Sequence, residues 1–140
     1  MQRRAVFGLF LLPLARGQGT CAPTPALTQG PYYLRDLPQR EDLREGLPGV
    51  PLRLLLRVRD RACRPLQGAR VDLWHTDALG RYSGVNAPGT FCRGWQATDE
   101  RGEVAFLTLF PGWYPSRTPH LHLRVEAGGR VFATQLFFPE

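Results

Sequence analysis

The feature that most constrains this chain is a period of two. From Leu52 to Val58 apolar residues fall at Leu52, Leu54, Leu56 and Val58, with Arg53, Leu55 and Arg57 between them. That spacing buries one face of a strand and wets the other. Further runs of the same kind span Ala69–His75, Phe91–Thr98, Val104–Phe110, His120–Val125 and Val131–Phe137. The 15 glycines and 13 prolines are spread along the chain and punctuate these runs. Many short strands separated by turn residues predict an all-β fold, a single-domain sandwich of mainly antiparallel strands. A length of 140 residues fits one domain.

Two turns carry most of the topology. Asp99-Glu-Arg-Gly102 is predicted to join Phe91–Thr98 to Val104–Phe110 as a strand pair. Gly128-Gly129 is a two-residue hairpin signal between the last two strands. If those glycines form the loop, Val125 pairs with Phe132, His122 with Gln135 and His120 with Phe137. Side chains two apart share a face. His120, His122 and Gln135 are therefore expected on one side of the sheet.

The N-terminal segments read differently. Arg3 and Arg4 precede an apolar stretch from Ala5 to Ala15, too short to span a bilayer and shaped like an export signal. Residues 1–19 are assigned to that signal, and its paired arginines are compatible with the twin-arginine route. Residues 20–51 form a proline- and glycine-rich arm expected to wrap the sandwich, leaving 52–140 as the core. No membrane span is expected once the signal is removed, and the mature protein is expected in a periplasmic or extracellular space. Cys21, Cys63 and Cys92 would then meet oxidising conditions. Cys21–Cys63, tying the arm to the first hairpin, is the favoured pairing, although spacing does not exclude the others.

The formal charge is +6, and all 18 basic residues are arginines. Arg53, Arg57 and Arg59 alternate with apolar residues, as on a solvated sheet face. No nucleic-acid motif accompanies them, so a nucleic-acid partner is not expected.

An isolated His-x-His pair such as His120-Leu-His122 is more often structural than metal-binding. Its surroundings alter that balance. Pro111-Gly-Trp-Tyr-Pro115 and Pro119 stiffen the preceding loop, which can hold Tyr114 and Arg117 at a fixed distance from the histidines. With Tyr82, the set becomes two phenols and two imidazoles. A free phenol titrates near pH 10, so two phenolates at neutral pH call for a strongly acidic ion. Zinc and copper sites lean on imidazole and thiolate instead. If the four converge, the chemistry points to ferric iron.

The runs Val71-Asp-Leu-Trp-His-Thr-Asp-Ala-Leu-Gly-Arg-Tyr-Ser83, Pro111-Gly-Trp-Tyr-Pro-Ser-Arg-Thr-Pro-His-Leu-His122 and Thr134-Gln-Leu-Phe-Phe138 resemble intradiol ring-cleavage dioxygenases, the family of the protocatechuate 3,4- and catechol 1,2-dioxygenases. Gly30-Pro31-Tyr32 and Cys63-Arg-Pro-Leu-Gln-Gly-Ala69 fit as well, so the likeness covers Thr28 to Phe138. The resemblance implies an Fe(III) centre with Tyr82 and His120 as equatorial ligands and Tyr114 and His122 as the axial pair. It implies cleavage of a catechol by O₂ between its hydroxylated carbons, giving a muconate-type diacid, with Tyr114 taking up a substrate proton. Arg117 would stabilise negative charge on the substrate ring, and Gln135 would orient the groups around the metal. Pro31, Tyr32, Trp113 and Arg117 are expected to contact substrate. Trp74 reads as core and His75 as structural.

Gln29 stands where relatives often carry glutamate. The chain lacks the long helical segment through which catechol 1,2-dioxygenases dimerise, so an oligomer would be built differently. The rival reading is a transthyretin-like sandwich module with no catalysis. Such a domain shares the Gly-Ala-x-Val strand, the Asp-x-x-Gly turn and the Pro-Gly-x-Tyr segment, but does not require His120, His122, Arg117 and Gln135 together. A zinc or copper site, or a catechol binder without turnover, would be further alternatives.

Overall fold

The computed structural model describes residues 21–139, and the expected export segment lies outside them. Six strands form the fold: β1 (Pro51–Arg57), β2 (Arg70–Trp74), β3 (Arg93–Ala97), β4 (Glu103–Leu109), β5 (His120–Ala127) and β6 (Arg130–Phe137). Among the described residues there is no helix, and so none long and apolar enough to cross a membrane. All pairings between strands are antiparallel, in a two-stranded sheet β1-β4 and a four-stranded sheet β3-β2-β5-β6. The all-β sandwich expected from the alternation is the fold observed.

The core lies between the sheets. Leu56, Val58, Val104 and Phe106 meet Val71, Leu73, Leu121, Leu123, Val125 and Leu136 across it, with Leu43 of the arm completing the cluster. Fully burying one such side chain contributes roughly 1.5–3 kcal/mol, so the alternation in each strand fixes which face turns inward. The solvent side of the smaller sheet is mixed, with Leu55 opposite Ala105, and at its end Arg57 sits opposite Glu103 and pairs with it at 2.7 Å.

The β5–β6 hairpin has the register expected from Gly128-Gly129, with His120 opposite Phe137, His122 opposite Gln135 and Val125 opposite Phe132. The other turn departs from expectation. Asp99–Gly102 does form a tight turn, its carboxylate accepting from the amides of Arg101 and Glu103 at 2.9 Å each. The flanking strands do not pair: β3 joins β2, and β4 joins β1 in the opposite sheet. Turn chemistry reverses the chain equally well within a sheet or between two sheets. Here the partner strands decide, because Leu56 opposite Val104 and Leu54 opposite Phe106 give β1–β4 an apolar seam facing the core. The turn is pressed onto the end of β1, where the Gly102 carbonyl accepts from the Val58 amide at 2.7 Å.

Cys21 and Cys63 are bonded. The segment holding Cys63 connects strands of different sheets, so the bridge ties the arm to a crossover and not to a hairpin. The arm itself covers strand edges. The Leu27 amide donates to Ala133 on β6, the Trp95 amide of β3 donates to Pro38, and Leu107 of β4 exchanges bonds with Glu41 and Leu43. The arm is thereby bonded to both edge strands of the four-stranded sheet, which shortens the exposed ladders that invite aggregation. The same path carries the arm across the sheet face turned away from the core.

Two outcomes are expected. Gly102 has φ +75, and a Cβ there would lie 2.6 Å from the Val58 carbonyl oxygen. Gly102→Ala should therefore cost about 1–3 kcal/mol in urea unfolding. Backbone hydrogen bonds hold the Asp60 and Asp99 carboxyls below their usual value, those from Arg64 and Glu103 leading. Their stabilisation is present above about pH 4 and is lost as pH falls through the depressed values. The unfolding midpoint should drop on acidification below about pH 4, and Asp99→Ala should flatten that drop.

Candidate metal centre

The face of the four-stranded sheet opposite the core carries an unusual row. In register across β3, β2, β5 and β6 stand Arg93, Trp74, His122 and Gln135, one from each strand. All four are buried. His120, two residues before His122, shares their face one step along β5.

Two loops bring the tyrosines to this row. After β2 the chain turns at Asp77, whose carboxylate accepts from the amides of Leu79 and Arg81 at 3.0 and 2.9 Å and pairs with the Arg81 guanidinium. That turn is clamped to the Pro111–Tyr114 segment. The Gly112 amide donates to the Asp77 carbonyl at 2.8 Å, and the Thr76 hydroxyl donates to the Gly112 carbonyl at 2.9 Å. At Gly80, with φ +79, a Cβ would fall 2.6 Å from the Trp113 carbonyl oxygen. This close approach sets the distance between the loops of Tyr82 and Tyr114. Pro115 and Ser116, the latter at φ +74, then form a turn in which the Arg117 amide donates to the Tyr114 carbonyl.

The four donor atoms converge. Tyr82 Oη lies 3.2 Å from Tyr114 Oη and 3.4 Å from His120 Nε2. Tyr114 Oη is 3.5 Å from His120 Nε2, which is 3.1 Å from His122 Nε2. Donors about 2.1 Å from a shared transition-metal ion, at angles near 90–110°, stand about 3.0–3.4 Å apart. These four separations are in the range of donors that share a single ion. Among the described residues no group of three or more His, Cys, Asp or Glu could hold a metal, so a metal at this place would draw half of its protein donors from tyrosine.

The electrostatics of the histidines agree with metal ligation. Burial, reinforced by His120 and Arg117, holds His122 down to about pKa 3, and burial also lowers His120. Both imidazoles are therefore neutral at pH 7. His120 Nδ1 lies 2.7 Å from the Thr118 carbonyl, which can only accept, so Nδ1 carries the proton and Nε2 keeps its lone pair for the site. Burial and the neighbouring Tyr114 hydroxyl raise the Tyr82 phenol.

Arg117 Nη2 donates to Gln135 Oε1 at 2.6 Å, and Gln135 Nε2 donates to the Thr28 carbonyl at 2.9 Å. Tyr32 packs its ring 4.7 Å from that of Tyr82. Pro31 and Trp113 are exposed, Trp113 at 68%. They stand outside the converged set. His75 is fully buried with both ring nitrogens hydrogen-bonded, to Thr76 and Thr108, in keeping with a structural residue.

Three neighbours of the donors were given no role at the site from sequence. Arg93 Nε donates to the Ser83 carbonyl at 3.0 Å, its Nη1 donates to the Tyr32 carbonyl at 2.7 Å, and its guanidinium sits 5.9 Å from the Tyr82 ring centre. Nothing in the sequence separates this arginine from the surface ones; only the register across β2 and β3 does. Trp74, expected merely as core, stacks on His122. Tyr33 of the arm packs behind Trp74, a contact that no periodicity in the arm foretells.

Comparison with known proteins adds the lineage. The dioxygenase family model matches residues 28–140. An intradiol ring-cleavage dioxygenase from Tetranychus urticae superposes with TM-score 0.83 at 38% identity, covering 86% of this chain and 66% of that one. The dioxygenase domain of a dioxygenase carbohydrate-binding protein fusion from Streptomyces sp. SirexAA-E superposes with TM-score 0.77 at 43% identity, covering 84% of this chain and 75% of that one. Chlorocatechol 1,2-dioxygenase of Rhodococcus opacus is 28% identical over 82% of this chain and 56% of its own length. The chain thus spans little more than half the length of that relative. On the match across its whole core and the superposition of its sheets, the chain belongs to the intradiol ring-cleavage dioxygenase family.

Proposed function

We propose that this chain binds one ferric ion through Tyr82, Tyr114, His120 and His122 and cleaves catechol-type diols with O₂ to muconate-type diacids. The observation that carries this is the convergence on His120 Nε2 of the two phenol oxygens and the His122 Nε2, each 3.1–3.5 Å from it, beside the Arg117–Gln135 pair. Two phenolates offset most of the charge of a trivalent ion, a match that divalent metals do not need. When bound, the ferric ion supplies the Lewis acidity that makes a coordinated diol reactive toward O₂.

The surrounding residues perform the remaining tasks. Tyr114 sits half-buried beside an exposed turn, where its Oη can take up a proton lost by the incoming diol. Arg117 presents fixed positive charge beside the donors and stabilises negative charge gathering on the ring. Gln135 is oriented by its bond to Thr28, so its Oε1 faces Arg117 and holds the guanidinium in place. Tyr32 walls the Tyr82 side of the pocket. One C–C bond, between the two hydroxylated carbons, breaks, and both atoms of O₂ enter the new carboxyl groups, so no external reductant is consumed. Export is part of the same proposal and is supported by the Cys21–Cys63 disulfide, a bond that persists in oxidising compartments.

Protein purified without chelators should carry one iron per chain and a red-brown tyrosinate absorption that shifts on anaerobic addition of catechol. Admitting O₂ should then yield a muconate. A colourless protein that stays colourless after iron reconstitution would count against the proposal. Tyr82→Phe and His122→Ala should each lose most of the iron, measured as metal content per chain, since either leaves three protein donors. Arg117→Leu should keep iron and colour while kcat falls by about 10²-fold or more; an unchanged kcat would make its role structural.

A further inference from the structure

The two histidines of the centre are held by different forces. His120 is fixed by its Nδ1 hydrogen bond to Thr118. His122 Nδ1 is buried and has no hydrogen-bond partner among the described residues. Metal-binding imidazoles are commonly oriented through that second nitrogen, so the His122 ring plane must be set in another way.

The face of the sheet supplies one. Trp74 stands directly opposite His122 on the neighbouring strand, and its ring lies parallel to the imidazole, at 7° and 5.1 Å between centres. Behind Trp74 packs Tyr33, with ring centres 4.9 Å apart, and behind Tyr33 lies the Arg124 guanidinium, 5.1 Å from its ring. Asp72, fully buried and two residues before Trp74, accepts from the Tyr33 hydroxyl at 2.8 Å and from Arg70 Nε at 2.7 Å, with Arg124 3.7 Å away. The register makes Asp72 and Arg124 the pair next to Trp74 and His122 on the same face. Imidazole and indole are thus stacked, and the Tyr33 ring, tilted at 57° to the indole, links that stack to the arm and to the Arg124 guanidinium. Aromatic pairs at these separations attract one another beyond what their burial supplies, and the preference is directional.

On the premise that the four donors bind iron, we propose that Trp74 is the positioning residue of His122, fixing its ring plane by stacking, and that Tyr33, anchored on Asp72, holds Trp74 in place. The arm is then part of the metal centre, since it supplies the back of the stack. Trp74 meets the donor set through the His122 ring. Its effect is read through His122 alone.

The test compares Trp74→Leu, Trp74→Phe and Tyr33→Leu with Val71→Ala, a core variant on the opposite face of β2. Ferric iron affinity and the tyrosinate absorption are measured in each, and the His122 ring-proton shifts are recorded by NMR in the metal-free proteins. Trp74→Leu should weaken iron binding by about 10–100-fold, displace the absorption band and abolish the ring-current shift of the His122 protons. Trp74→Phe should restore most of each, and Tyr33→Leu should move all three in the same direction by less. Val71→Ala should lower stability and leave all three unchanged. Wild-type affinity and band in Trp74→Leu, or an equal loss in Val71→Ala, would overturn the inference. If Trp74→Leu does not fold, Tyr33→Leu decides: His122 shifts and iron affinity at wild-type values overturn it. A wild-type protein that takes up no ferric iron would instead count against the proposed centre, while the metal-free NMR would still report whether Trp74 sets the His122 ring.

Discussion

The antiparallel register of the four-stranded sheet is the constraint on which the rest of this protein depends. Strands about 4.8 Å apart with side chains alternating between faces put Arg93, Trp74, His122 and Gln135 in a single line. A slip of one residue in any strand would send that strand's contribution into the apolar core and bring its core-facing neighbour to the site face. The same alternation that buries Leu73, Leu121 and Leu123 therefore holds the functional row on the other side. Core packing and site geometry are two faces of one ladder.

A row of buried polar groups carries a desolvation cost, and the molecule offsets it locally. His75 is bonded at both nitrogens, Asp72 receives Tyr33 and Arg70, and Arg93 donates from Nε to Ser83 and from Nη1 to Tyr32. Many of these partners come from the arm or from the two clamped loops. The segments without regular structure are thus as necessary to the centre as the strands. They bring the tyrosines, cover the histidines and close the sheet edges. The family relationship fits this division, because it extends beyond the strands to begin at residue 28, within the arm.

Much of the fold was legible because its signals are local. The strand positions follow from alternation, and the last hairpin follows from two adjacent glycines, which by themselves imply the His122–Gln135 pairing that the sheet shows. The Asp99–Gly102 turn was legible as a turn, but its strands were assigned to each other when they belong to different sheets. A reversal is encoded by four residues; the choice of partner strand is encoded by apolar matches tens of residues away. The candidate donors were legible through residue type and ordered motifs. Their neighbours were not, since Arg93 resembles any surface arginine and Tyr33 belongs to a segment with no period.

By itself, then, the sequence determined the all-β class, the faces of the strands and the chemical kinds of donor, because each depends on spacing along the chain or on the side chain's own chemistry. Tertiary structure alone decided that Tyr82 and Tyr114 come within 3.2 Å, that Arg117 grips Gln135, and that Trp74 lies flat on His122. Those distances depend on how two loops clamp and how the arm crosses the sheet. Such contacts join residues far apart in the chain, and no local period records them.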